Sequence, residues 1–155
     1  EIIAVNTLIP CTKNQQILRF KPIIGEDAEL MARNIKLGGL LPQLNLPLKG
    51  SEPNAFIIVC SNEAENKWIN IDLGISLQSM LLKGVSMGLN GICIGAFKRE
   101  IAKSFLPNGY EPLIVVAIRK GDEKIEIVPI KEGDSIAYYR KDGIHYVPKI
   151  QDIIL

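Results

Sequence analysis

The chain has 155 residues, 47% of them hydrophobic and 23% charged, with a formal net charge of +1. That length and balance suit one globular domain with a core of ordinary size, and the near-zero charge gives no electrostatic basis for binding nucleic acid or an anionic membrane. Cys11, Cys60 and Cys93 are odd in number, far apart and without metal-ligand spacing, which points to a reducing compartment and by default the cytoplasm.

The chain opens at Glu1 inside a helical phrase, EIIAVNTLI, read as a helix fragment over 1–8. A start within such a phrase predicts a preceding N-terminal segment, and no charged run leading into an apolar one marks a secretory signal. Pro10 and Thr12 break the helix at a polar corner, Pro10–Gln16 (PCTKNQQ), and an extended run follows over Ile17–Ile24. Glu26–Lys36 has helical spacing, with Leu30 and Met31 on one face, and reads as a surface helix. Leu37–Pro53 turns to Gly, Pro, Leu and Asn and reads as a long connection, apolar enough to lie over a neighbouring element or a second subunit. Ala55–Ser61 (AFIIVCS) is a short continuous apolar run, the mark of a strand buried on both faces.

The stretch Asn70–Phe97 organises the rest. Leu73, Leu77, Met80, Leu81, Leu82, Val85 and Leu89 wrap nearly all sides of a helix, which predicts that it is buried. Small residues between them allow close approach of neighbouring backbones. Asp72, Gln78 and Lys83 lie inside the run and argue against a membrane span. Gly88 and Asn90 supply the helix stop. GICIGAF then gives a strand over 91–95 with glycine at both ends, where a flat ligand could reach the backbone. A short helix over Lys98–Phe105, a buried strand over Pro112–Arg119 and a half-exposed strand over Lys124–Pro129 come next. Asp134–Pro148 reads as a hairpin built on Asp142-Gly143, and Ile150–Leu155 as a last helical turn or an extended arm. Alternating strands and helices around a buried helix, with no repeat, give an α/β or α+β class.

Most catalytic chemistry finds no motif. His145 is the only histidine, placed in the hairpin among Ile144, Tyr146 and Val147 with no partner at metal-ligand spacing. It is remote from any serine or cysteine elbow, so a hydrolase triad has no support. There is no GxGxxG and no phosphate-binding glycine array. Cys60 and Cys93 fall in apolar strands and read as small buried hydrophobes, while Cys11 lies in the polar corner.

Two patterns remain. Pro10-Cys11-Thr12-Lys13-Asn14-Gln15-Gln16, followed by Ile17-Leu18-Arg19-Phe20, resembles the P-S-x-x-N-x-Q-P-W-x-F motif of the FMN-dependent nitroreductase family. Asp72-Leu73-Gly74, Leu81-Leu82, Gly88-Leu89 and Ile92 through Phe97 are similar to that family's D-x-G…L-L…G-L…I-G-x-F pattern. The closing Tyr138-Tyr139-Arg140, His145 through Lys149 and Asp152-Ile153-Ile154 resemble the C-terminal arm of a bacterial subgroup. The departures are Cys11 for a serine, Ile17-Leu18 for Pro-Trp, Ile150 where a second basic residue would stand, and no counterpart of an N-terminal Arg-Arg-Ser phosphate clamp.

The resemblance implies a single domain over 1–155 of α+β class, a nitroreductase-like mixed sheet flanked by helices around the long buried helix, working as a homodimer with FMN at the interface. It implies an oxidoreductase that takes hydride from NADH or NADPH and passes electrons to a nitroaromatic, quinone or similar flat acceptor. No residue is assigned a catalytic role, because hydride transfer is the cofactor's own reaction. The implied cofactor-binding residues are Pro10, Cys11, Thr12, Asn14 and Gln16 from one subunit, the Cys93, Ile94, Gly95 stretch at the flavin ring, and Lys149 toward the phosphate. Lys49 falls near the ring's N1–O2 edge. The alternative reading is a non-catalytic flavin- or ligand-binding dimer of the same fold.

Overall fold

The computed structural model describes residues 1–39, 42–47, 49–121 and 123–154. The chain divides into two compact units, one of Glu1–Leu37 with Pro47–Lys120 and the other of Gly38–Leu46 with Gly121–Leu155.

The first unit is built on β2 (Ala55–Ser61) and β4 (Glu111–Arg119), whose continuous apolar runs leave no face for water. Pairing antiparallel, they form the centre of a four-stranded sheet of order β1-β2-β4-β3, with β1 at Arg19–Ile24 and β3 at Asn90–Ile94 on opposite edges. Side chains alternate across the sheet, so each central strand supplies two cores. Phe56, Ile58, Val115 and Ala117 face α1 (Glu26–Ala32) and α3 (Arg99–Ser104), together with Met31 and Ala102. Ile57, Val59, Val116 and Ile118 face the long helix α2 (Lys67–Ser86) through Met80, Leu73 and Leu77, and the N-terminal segment through Ile2, Ile3 and Val5. At roughly 1.5–3 kcal/mol for each fully buried large side chain, these two layers dominate the unit's stability.

α2 begins three residues before the sequence reading places it, because the Asn66 side chain caps it, accepting from the N–H groups of Trp68 at 2.9 Å and Ile69 at 3.2 Å. It stops where Gly88 takes φ +72°, with the Leu89 N–H returning to the Gly84 carbonyl at 3.0 Å. One face, Ile69, Asp72, Ser76, Met80 and Gly84, is buried within the chain. The opposite face is not. Trp68, Ile71, Leu82 and Val85 are 51, 43, 60 and 65% exposed in the single chain, so the predicted all-round burial needs a second surface. No helix among the described residues is long and apolar enough to cross a membrane.

The N-terminal segment forms a 3-10 turn at Ile3–Thr7 in place of the predicted helix, and β1 starts at Arg19, two residues later than the predicted extended run begins. α1 ends at Ala32, short of Lys36, because Ile35 bridges Phe97 and the Lys36 and Lys98 N–H groups bond the carbonyls of Ala96 and Asn34 at 2.8 and 2.9 Å. Sheet-like pairing with the segment after β3 cannot coexist with another helical turn. Within the predicted 37–53 connection, Pro42–Leu44 makes a 3-10 turn, and Leu40, Leu41 and Leu48 lie outside the described residues.

The second unit holds a three-stranded sheet of order β5-β7-β6, with β5 at Lys124–Ile130, β6 at Tyr139–Lys141 and β7 at Ile144–Ile150. β5 and β7 run parallel, whereas β6 and β7 form the expected hairpin on Asp142 (φ +52°) and Gly143 (φ +76°). The strands of that hairpin are shorter than the predicted 134–148 span. Tyr139 stacks on its cross-strand partner Tyr146, ring centroids 5.0 Å apart. Gln151–Ile154 carries no helical turn, and Leu155 of the predicted tail lies outside the described residues.

Candidate functional site

The polar corner Pro10–Gln16 holds three non-glycine residues with positive φ. Lys13, Asn14 and Gln16 sit at φ +51°, +55° and +51°. Non-glycine residues enter that region only when their surroundings impose it. The corner's own bonds close it: the Asn14 N–H donates to the Cys11 carbonyl at 3.1 Å, the Gln15 N–H to the Thr12 carbonyl at 3.0 Å, and the Gln16 N–H to Cys11 Sγ at 3.3 Å. The Gln16 amide donates to Asn14 Oδ1 at 3.1 Å, which orients the two amide side chains together.

Two side chains outside the corner hold its ends. Asp72, 5% exposed on α2, accepts on Oδ1 from the Thr12 N–H at 2.7 Å and from Thr12 Oγ1 at 2.9 Å. Arg19, at the start of β1, donates Nη1 to the Gln16 carbonyl at 2.5 Å and the Leu18 carbonyl at 2.9 Å. One helical turn beyond Asp72, Ser76 Oγ donates to Asn6 Oδ1 at 2.5 Å and ties down the preceding segment.

These groups enclose a cavity of about 360 Å³ lined by Pro10, Cys11, Asn14 and Gln16 of the predicted set, with Asn6, Arg19, Phe20, Asp72 and Ser76. Thr12 does not line it, and both of its donors are engaged by Asp72. The lining is mixed: Ile3, Ile9, Ile17, Leu18 and Phe20 give it apolar walls, Asn6, Asn14 and Gln16 are its amides, and Arg19 and Asp72 are its charged members among the described residues. Amides that both donate and accept, beside one guanidinium, match the mixed donor and acceptor edge of a heterocycle such as a flavin's uracil ring.

The second predicted half is a strand end. Cys93 is half-buried on the α2 face of β3, Ile94 is buried on the other face, and Gly95 is exposed. A Cβ built on Gly95 would meet nothing within 4 Å, so the backbone there stands beside open space. Burial pushes the thiols of Cys93 and Cys60 up, and the Arg19 charge lowers Cys60 by a lesser amount, so neither is a ready nucleophile. Within one chain the halves do not meet. The corner leads into β1 and Gly95 follows β3, at opposite edges of the sheet, three strand spacings or roughly 14 Å apart.

Lys149 is exposed on β7 in the second unit, and Lys49 is exposed on the segment before β2. His145 packs in its hairpin as expected, its ring 5.3 Å from that of Tyr138 and Nδ1 3.4 Å from Glu123 Oε2. Arg140 forks onto the same carboxylate and holds the Glu123 carboxyl below its ordinary range. A wider, open concavity of about 660 Å³ in this unit is lined by Pro129–Glu132, Asp134, Gln151 and Asp152, none of them a predicted site residue. Among the described residues no group of side chains could hold a metal ion.

Sequence reasoning missed Asn6, Arg19, Phe20, Asp72 and Ser76 as cavity residues. The signal for Asp72 was its position as a lone carboxyl in an apolar helix.

No protein-family model matches the chain, and no curated protein matches it. Solved structures do. An FMN-dependent nitroreductase from Clostridium difficile R20291 is 17% identical, with 79% of this chain and 74% of that one covered at a TM-score of 0.61. A nitroreductase family protein from Streptococcus pneumoniae TIGR4 is 14% identical, with 81% and 80% covered at 0.62. A mutant of an FMN and NADPH-dependent nitroreductase from Sphigopyxis sp. strain HMH is 15% identical, with 78% and 76% covered at 0.63. At these identities the likeness is one of backbone architecture, and on that ground the chain has the α+β fold of the nitroreductase family proteins.

Proposed function

We propose that this chain is a homodimeric FMN-dependent oxidoreductase that takes hydride from NADH or NADPH and passes electrons to a nitroaromatic, quinone or similar flat acceptor. What supports the reading is a cavity at one edge of the sheet whose polar lining includes Asn6, Asn14 and Gln16, and an open backbone position at Gly95 beyond the other edge. We read them as two halves of a slot for a flat heterocycle.

Bound FMN supplies the hydride chemistry. The chain's own residues bind and orient it. Asn14 and Gln16 hydrogen-bond the polar edge and ribityl chain, with Pro10 and Cys11 forming the adjoining wall and Thr12 fixing their backbone. Cys93, Ile94 and Gly95 supply main chain that lets the ring come close. The two halves are contributed by different copies. The exposed apolar face of α2 supports this, because Trp68, Ile71, Leu82 and Val85 in water are the surface a second copy would cover. The three free cysteines fit a reducing compartment, and we place the protein in the cytoplasm.

The test is acceptor-dependent oxidation of NADH and NADPH by FMN-loaded protein, followed by nicotinamide absorbance, with nitrobenzene and benzoquinone as acceptors. Turnover with either donor is the expected result. FMN binding without turnover favours the non-catalytic dimer, and failure to bind FMN removes the oxidoreductase and leaves of the alternative only a dimer that holds another ligand.

A further inference from the structure

Asp72 does more than fill a polar gap in α2. The helix already has a cap in Asn66 and is held to the sheet by Leu73, Leu77 and Met80. Asp72 instead spends one carboxyl oxygen on both donors of Thr12, the residue immediately before the left-handed pair Lys13 and Asn14. At the other end Arg19 holds the Gln16 carbonyl. Unclamped, a corner with three left-handed non-glycine residues, Lys13, Asn14 and Gln16, would relax toward ordinary backbone and turn the Asn14 and Gln16 amides out of the cavity.

We propose that Asp72 is the positioning residue of this cavity: by anchoring Thr12 to α2 it keeps the Cys11–Gln16 corner in the conformation that presents Asn14 and Gln16, and so sets the affinity for FMN. The inference rests on the functional reading above and names the residue on which its ligand recognition depends. The carboxyl group suits the task because it brings acceptors only. An asparagine keeps an oxygen for Thr12 but adds buried donors that must find partners.

The experiment compares wild type with Asp72→Ala, Asp72→Asn and Thr12→Val in three measurements. These are the FMN dissociation constant by fluorescence quenching, thermal unfolding by circular dichroism, and amide exchange of residues 12–17 in ligand-free protein. Asp72→Ala is expected to weaken FMN binding on the order of tenfold or more, since either lost hydrogen bond to the acid is large enough for that factor. Its exchange should rise at the corner and not in α2. Thr12→Val, which keeps the backbone bond, should fall between it and wild type, and Asp72→Asn should recover part of the loss.

Wild-type affinity in folded Asp72→Ala or in Thr12→Val overturns the proposal. Should Asp72→Ala fail to fold, Thr12→Val decides alone: faster corner exchange with weaker binding supports the role, and no change in either refutes it. If wild type binds no FMN, the functional reading fails by itself. Corner exchange in the variants then still decides the anchor, faster supporting it and unchanged refuting it.

Discussion

Gly91 lies within β3 and Gly95 follows it, and the two differ in packing, which makes their substitution a sharp test of the proposed ring position. A Cβ on Gly91 would lie 2.6 Å from Leu81 Cδ2 and 3.1 Å from Ile118 Cδ1, both in the packed layer between α2 and the sheet. Gly91→Ala therefore overpacks that layer and should cost about 1–3 kcal/mol. At roughly 2–4 °C per kcal/mol for a chain of this size, that lowers Tm by about 2–12 °C. FMN affinity measured well below Tm should hardly change. A Cβ on Gly95 meets nothing within 4 Å, and the residue is not at a positive φ that only glycine adopts easily. Gly95→Val should therefore leave stability within about 0.5 kcal/mol of wild type. Its methyl groups would instead enter the space that the proposed function assigns to the flavin, and the expected loss of FMN affinity is on the order of tenfold or greater, the factor that about 1.4 kcal/mol of steric conflict produces. Circular dichroism melts and fluorescence titrations on the two variants give the comparison. Unchanged FMN binding by Gly95→Val refutes the placement of the ring against β3.

Further expectations concern the assembly and the second unit. Leu82→Asp puts a charge on the exposed apolar face of α2, where dimerisation would bury a side chain now 60% exposed, worth about 1–2 kcal/mol for leucine. Because a desolvated charge costs several kcal/mol more, sedimentation velocity should show a dimeric wild type and a monomeric variant; a dimeric Leu82→Asp excludes α2 as the interface. Arg140 first, through its hydrogen bonds, and then its charge and that of His145 lower the Glu123 carboxyl from its ordinary value of 4.5. A depressed folded value means that the unfolded chain takes up the proton first as pH falls. The stabilisation is complete above pH 4.5 and disappears as pH drops through the lower folded value. Glu123→Gln should abolish that acid-side loss, read from the NMR shifts of Tyr139 and Tyr146, and an identical acid transition in the variant contradicts it.

What could be read from the sequence divides by the range of the interactions. Ala55–Ser61 is a strand to the residue because an uninterrupted apolar run of that length, bounded by polar residues, fits a central strand. Asp142-Gly143 turns where expected because both residues adopt positive φ, which that pair tolerates. α1 was read too long because its end is set by pairing of Ile35 with Phe97, a contact between segments far apart in the chain. The site divides in the same way. Asn14 and Gln16 were found through a local motif, and the structure lines one cavity with both. Asp72 and Arg19 stand in the same motifs, but their anchoring is not spelled out there, because Asp72 bonds Thr12 across 60 residues and Arg19 bonds main-chain carbonyls. The strand order β1-β2-β4-β3, which sends the corner and Gly95 to opposite edges, is likewise a property of the assembled sheet.

The most direct measurement is FMN titration of the purified, ligand-free protein, following flavin fluorescence and visible absorbance together while sedimentation reports the assembly. The account predicts quenched fluorescence, a shifted flavin band and saturation at equal numbers of FMN and chain in a dimeric species. Flavin fluorescence and absorbance that stay those of free FMN at every protein concentration contradict it.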